Sequence, residues 1–73
     1  YPFLRLHEEE GWAEALGADE AFQGLAAEYA DLVCDARKNA AALRAVEDAM
    51  NERGDAVAAA LRRAAAMDEL ASR

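Results

Sequence analysis

The sequence predicts an all-α fold of two to three helices: a long central helix, an Ala-rich antiparallel helical hairpin, and coiled-coil-like packing between them. Three observations predict it. Ala, Leu, Glu and Arg, the strongest helix formers, dominate the 73 residues, and β-branched side chains are confined to Val33, Val46 and Val57. Apolar residues from Phe22 onward recur in steps of three and four. No run alternates in the way a strand requires.

Pro2 suits a first helical position, so a helix is expected over about residues 4–16, stopped by Gly17 as a left-handed cap. Gly11 weakens its middle, and an extended course for residues 1–7 is the alternative. Asp19 offers the next N-cap, with Glu20 in the first turn. The positions that follow, Phe22, Leu25, Tyr29, Leu32, Ala36, Leu43, Val46 and Met50, read as a heptad seam with Asn39 as a polar register residue. They predict one long helix over about 20–53, with a break near Arg37, Lys38 and Asn39 as the main alternative. Gly54 then supplies a stop and Asp55 an N-cap for a last helix over about 56–72. Its buried stripe would be Val57, Ala60, Leu61, Ala64, Met67 and Ala71. The short turn at Gly54 would fold this helix back on the second half of the long one.

The chain reads as a single helical domain over 1–73, beginning at Tyr1 without Met and without a signal pattern. The expectation is a fragment, a processed product or the ordered part of a longer protein. Twenty-one of the forty apolar residues are Ala, a thin supply for a core. Ordering a residue costs about 1.5 kcal/mol, and burying a large apolar side chain returns about 1.5–3 kcal/mol. A seam longer than its own chain can bury is an association surface, and its expected contacts are Trp12, Phe22, Leu25, Tyr29, Leu32 and Leu43.

Net charge is −7, the wrong sign for a phosphate backbone, so nucleic acid is not an expected partner. Membrane contact is not expected either: no uncharged run approaches the roughly twenty residues of a spanning helix, and no basic amphipathic stretch occurs. The single Cys34 cannot form an intrachain disulfide and reads as a small packed residue in a cytoplasmic protein. Charge is polarised, with nine acids and one base in residues 1–35 and six acids and seven bases in 36–73. Antiparallel neighbours could pair the acidic end with the Arg37, Lys38 and Arg44 segment.

Candidate chemistry is sparse. His7, Glu10 and Glu14 would share a helical face and could begin a divalent-metal site, but the helical carboxylate sites need more ligands than one chain offers here. The ordinary reading of Glu8, Glu9, Glu10 and Glu14 is a solvated acidic patch in a first helical turn. No zinc set, nucleophile triad or Gly-rich phosphate loop can be assembled. The expected function is therefore a non-enzymatic helical protein–protein interaction module without metal or cofactor, a subunit, adaptor or scaffold piece that self-associates or joins a larger complex. The alternative is an acidic inhibitor or nucleic-acid mimic that fills a basic groove through Glu8, Glu9, Glu10 and Glu14.

Overall fold

The computed structural model describes residues 1–72 and is all-α: α1 spans Trp12–Ala18, α2 Glu20–Val33 and α3 Ala40–Ala71. Among the described residues there is no strand. The long C-terminal helix packs against the two shorter ones in a rod 55 Å long and 14–16 Å across. At about 1.5 Å per residue, the 32 residues of α3 account for nearly all of that length.

The two-to-three-helix class holds, but the helices are divided differently from the pattern. Residues 20–53 are not one helix, because turns at 34–39 separate α2 from α3. Neither Gly nor Pro marks this break; side chains make it. Asp35 Oδ1 accepts from the Lys38 N–H at 3.4 Å, and Asn39 Nδ2 donates to the Leu32 carbonyl at 3.1 Å, one of the orphan acceptors at the end of α2. Asn39 thus caps the preceding helix instead of holding a coiled-coil register. Folding here turns the apolar seam onto itself, so α2 lies antiparallel along α3 and the Asp19 end of α2 meets Arg53.

Gly54 is not a stop. It lies inside α3, buried, and the helix continues through Asp55 to Ala71 without a cap. A Cβ at Gly54 would stand 3.3 Å from Trp12 Cζ2 and 3.8 Å from Leu4 Cδ1, so the missing side chain is the space in which Trp12 sits. The indole Nε1 donates to the Gly54 carbonyl at 2.9 Å. The hairpin is therefore made by α2 and the first half of α3, not by a last helix folding back.

The expected helix over 4–16 is also replaced. Residues 1–10 contain no helix and form a strap along α3, and α1 begins only after Gly11, whose φ of 79° few other residues adopt. Gly17 does not cap α1, which runs on through it to Ala18. Asp19 does cap α2 as the pattern requires, accepting from the Phe22 N–H at 2.9 Å.

The core consists of Trp12, Leu16, Phe22, Val46, Met50, Val57 and Ala58, flanked by half-buried Leu4, Leu25, Tyr29 and Leu32. Leu43 is buried beside them. Past Leu61 the helix emerges: of the stripe expected on the last helix only Val57 is buried, while Ala60, Ala64, Met67 and Ala71 are exposed.

Two glycine substitutions separate these roles. Gly24, exposed in α2 with open space where a Cβ would stand, should stabilise the chain by about 1 kcal/mol when changed to Ala. Gly54→Leu should destabilise it by about 1–3 kcal/mol through overpacking against Trp12. Denaturant unfolding followed by fluorescence of this single tryptophan checks both, with a red-shifted native emission for Gly54→Leu.

Candidate functional site

Strap and helix are joined by polar groups that the core does not supply. Asn51 is buried beside Met50, and its side-chain amide meets the strap as a neighbouring strand would. Oδ1 accepts from the Arg5 backbone N–H at 2.7 Å, and Nδ2 donates to the Phe3 carbonyl at 3.2 Å and to the Glu47 carbonyl at 3.3 Å. These bonds read backbone groups at residues i and i+2, whatever side chains they carry. Burial makes the amide bonds matter: an unpaired buried polar group costs about 1–3 kcal/mol.

Further along, Arg5 Nη2 donates to Asp55 Oδ2 at 2.6 Å, His7 Nε2 donates to Asp55 Oδ1 at 2.8 Å, and Arg62 pairs with Glu9. The strap thus follows α3 over residues 51–62. Its N-terminal end packs through aromatic rings: Tyr1 meets Phe22 and Tyr29 nearly edge-on, with centroids 6.0 and 5.6 Å apart, and Phe3 lies 5.2 Å from Tyr29. Leu4 and Trp12 close over Gly54 between these polar anchors.

Three carboxyls are held below their ordinary range. Asp19 is lowered to about 2, first by the Arg53 guanidinium bond and then by the Phe22 N–H. Asp55 is lowered by its bonds from Arg5 and His7, and Glu9 by its own backbone N–H and then by Arg62. Two of these pairs, Asp19 with Arg53 and Glu9 with Arg62, link the acidic first part of the chain to bases of the second.

The residues expected at an interface lie elsewhere than on a free surface. Trp12, Phe22 and Leu43 are buried in the chain's own core, and Leu25, Tyr29 and Leu32 are half-buried against it. Of the acidic patch, Glu8, Glu10 and Glu14 are exposed, whereas Glu9 is half-buried and paired. His7, Glu10 and Glu14 share no helical face, because His7 is in the strap and Glu14 in α1. Among the described residues no three His, Cys, Asp or Glu side chains stand where they could hold a metal ion. Cys34 is exposed at the end of α2, not packed, and its Sγ contacts the Ala30 carbonyl at 3.5 Å.

The sequence reading did not single out the Asn51 amide and the projecting end of α3. Among the described residues no helix is long and apolar enough to cross a membrane. From Ala64 to Ala71 the helix carries six apolar residues and only Asp68 and Glu69 as charges, with Met67 69% and Leu70 67% exposed. Beside its first turn a shallow groove is floored by Leu61, Ala64 and Ala65 and bordered by Glu9, Glu10, Arg62 and Asp68. A surface helix ordinarily buries one apolar stripe and solvates the other face. This end is apolar over most of its circumference and touches little.

Fold and surface together define a small helical domain with a strapped hairpin and a projecting apolar helix end. Residues 15–65 match the family described as a domain of unknown function (DUF7623), and the chain belongs to that family. The match runs from the middle of α1 through α2 and the turns to the groove on α3. No curated protein and no solved structure matches the chain.

The carboxyl shifts set an acid limit. A carboxyl whose folded pKa lies below its unfolded value stabilises the fold above the unfolded value and loses that effect as pH falls through the folded one. Stability should therefore be level above about pH 5 and fall between the ordinary values of 4.5 for Glu and 3.8 for Asp and the value of about 2 at Asp19. Arg53→Met should flatten the lower part of that fall, measured as denaturation midpoint against pH.

Proposed function

We propose that this chain is a non-enzymatic helical protein–protein interaction module, a subunit or adaptor piece of a larger assembly, and that it docks through the projecting end of α3. The observation that carries the reading is the exposure of Met67 and Leu70 on a helix end with few polar residues. A contiguous apolar surface of this kind is the usual mark of a protein contact. The seam residues from Trp12 to Leu43 serve the reading indirectly, by building the hairpin from which the end of α3 projects.

The occupant that fits is an amphipathic helix of another protein with basic flanks. Its apolar side chains would meet Met67, Leu70 and the Leu61, Ala64 and Ala65 floor, and its bases would meet Glu10 and Asp68. The net charge of −7 favours encounter with such a partner. One exposed cysteine agrees with a reducing, cytoplasmic setting. The acidic-inhibitor alternative relied on Glu8, Glu9, Glu10 and Glu14 acting together; the engagement of Glu9 with Arg62 weakens it.

A synthetic amphipathic Leu/Lys helical peptide serves as the probe. Fluorescence anisotropy should show it binding the chain, and joint Met67→Ser and Leu70→Ser substitution, which leaves charge unchanged, should weaken binding at least tenfold without lowering the unfolding midpoint. Equal affinity for the variant and the parent chain would contradict the docking surface, because charge alone would then account for the binding.

A further inference from the structure

The groove that receives the strap is built mostly by α2 and α3, from Phe22, Tyr29, Asn51, Gly54, Asp55 and Arg62, with Trp12 of α1 meeting His7 at 5.3 Å between ring centroids. The strap's hydrogen bonds and ion pairs with α3 join residues 46 to 53 positions apart. None of these contacts requires that strap and groove belong to one molecule. The link between them is Gly11, which is exposed, has φ 79° and meets nothing within 4 Å of a would-be Cβ. Glycine passes between positive and negative φ at little cost, so opening this link costs chiefly the bond from the Trp12 N–H to the Glu9 carbonyl that bridges it at 3.0 Å.

We propose that residues 1–9 exchange between two copies of the chain, each strap seating in the other copy's groove to give a reciprocal two-fold dimer. A ten-residue extended segment reaches about 33 Å, roughly twice the 14–16 Å thickness of the rod, so a released strap spans to a neighbour lying alongside. Exchange keeps the strap's contacts with α2 and α3 and gives up the Glu9–Trp12 backbone bond at the hinge, which is why identical arms are a low-cost route to dimers. In the closed monomer the strap faces its own groove at an effective concentration in the millimolar range, so the parent chain exchanges mainly at high concentration. This surface adjoins the foot of the projecting end at Glu9 and Arg62, but Met67 and Leu70 lie outside it, so either proposal can fail without the other.

Reversing one ion pair across two chains tests the exchange. Arg5 and Asp55 are 62% and 43% exposed at their side chains, so Arg5→Asp in one full-length chain and Asp55→Arg in another leave the core untouched. Each variant alone sets like charges against each other, in its own groove and in a homodimer. In a mixed, exchanged dimer both straps meet an opposite charge. Sedimentation equilibrium should find each variant monomeric and their equimolar mixture at twice the 7.9 kDa chain mass, with a dissociation constant at least tenfold below that of the parent chain. A mixture that stays monomeric at every concentration reached by the parent chain overturns the proposal. Gly11→Val supplies a second measurement. A β-branched residue disfavours φ 79° and so disfavours the closed hinge; the variant should dimerise about a hundredfold more tightly, about tenfold for each of two hinges. A Gly11→Val chain that remains monomeric at the parent's concentrations counts equally against exchange.

Discussion

The structure depends on one close approach, that of the Trp12 indole to the bare backbone of Gly54. A helix in this Ala-rich chain offers few large side chains to pack, and the missing Cβ lets the largest residue lie against the α3 backbone while its N–H reaches the Gly54 carbonyl. Aromatic burial supplies more apolar area than any other residue type can, and the indole donor is satisfied in the same contact. Leu4 and Leu16 complete the contact from either side of Trp12, so the position of α1 and the course of the strap both follow from it. Glycine inside a helix costs roughly 1 kcal/mol against Ala, a penalty that this packing offsets.

Around that contact the chain divides its labour between apolar and polar forces. The α2–α3 hairpin is held by a compact cluster from Phe22 to Ala58, whereas the strap is held on the edge of α3 by the Asn51 amide, the Asp55 carboxylate and the Arg62 guanidinium. Exposed ion pairs are each worth little, so register along the strap depends mostly on the buried Asn51 amide and the aromatic rings at Tyr1 and Phe3. The same division leaves Met67 and Leu70 exposed in the last turns of α3. A rigid rod with one open apolar end is a shape suited to joining other proteins, and the proposed function uses that feature.

Much of this was legible in the residues. Helix class and the Asp19 cap follow from composition and capping chemistry, and the break at 37–39 is legible as an alternative, but the spacing places the antiparallel hairpin between the wrong segments. The errors share a cause: glycine was read as punctuation. Gly54 looked like a stop because a helical glycine and a capping glycine are identical in sequence, and only the Trp12 packing, 42 residues away, distinguishes them. Conversely, the true break has no glycine, because Asp35 and Asn39 satisfy backbone groups that a glycine would leave to water. With the long helix misplaced, the seam looks longer than the chain can bury, whereas the break turns it onto itself. Asn51 passed unnoticed since a polar residue at a helix edge usually faces solvent; its adjacency to fully buried Met50 was the available signal. The exposure of Cys34 follows from the same misplaced break.

Amide hydrogen exchange at Arg5, measured by NMR at neutral pH, tests the central claim most directly, that a side-chain amide of α3 holds the strap as a strand partner would. Arg5 lies outside any helix, and its N–H points at Asn51 Oδ1 at 2.7 Å. The account predicts an Arg5 amide protected well above that of Leu6, which is 84% exposed, and a loss of that protection in Asn51→Ala while the amides of Phe22 to Tyr29 keep theirs. An Arg5 amide that exchanges as fast as Leu6 in the intact chain would contradict it.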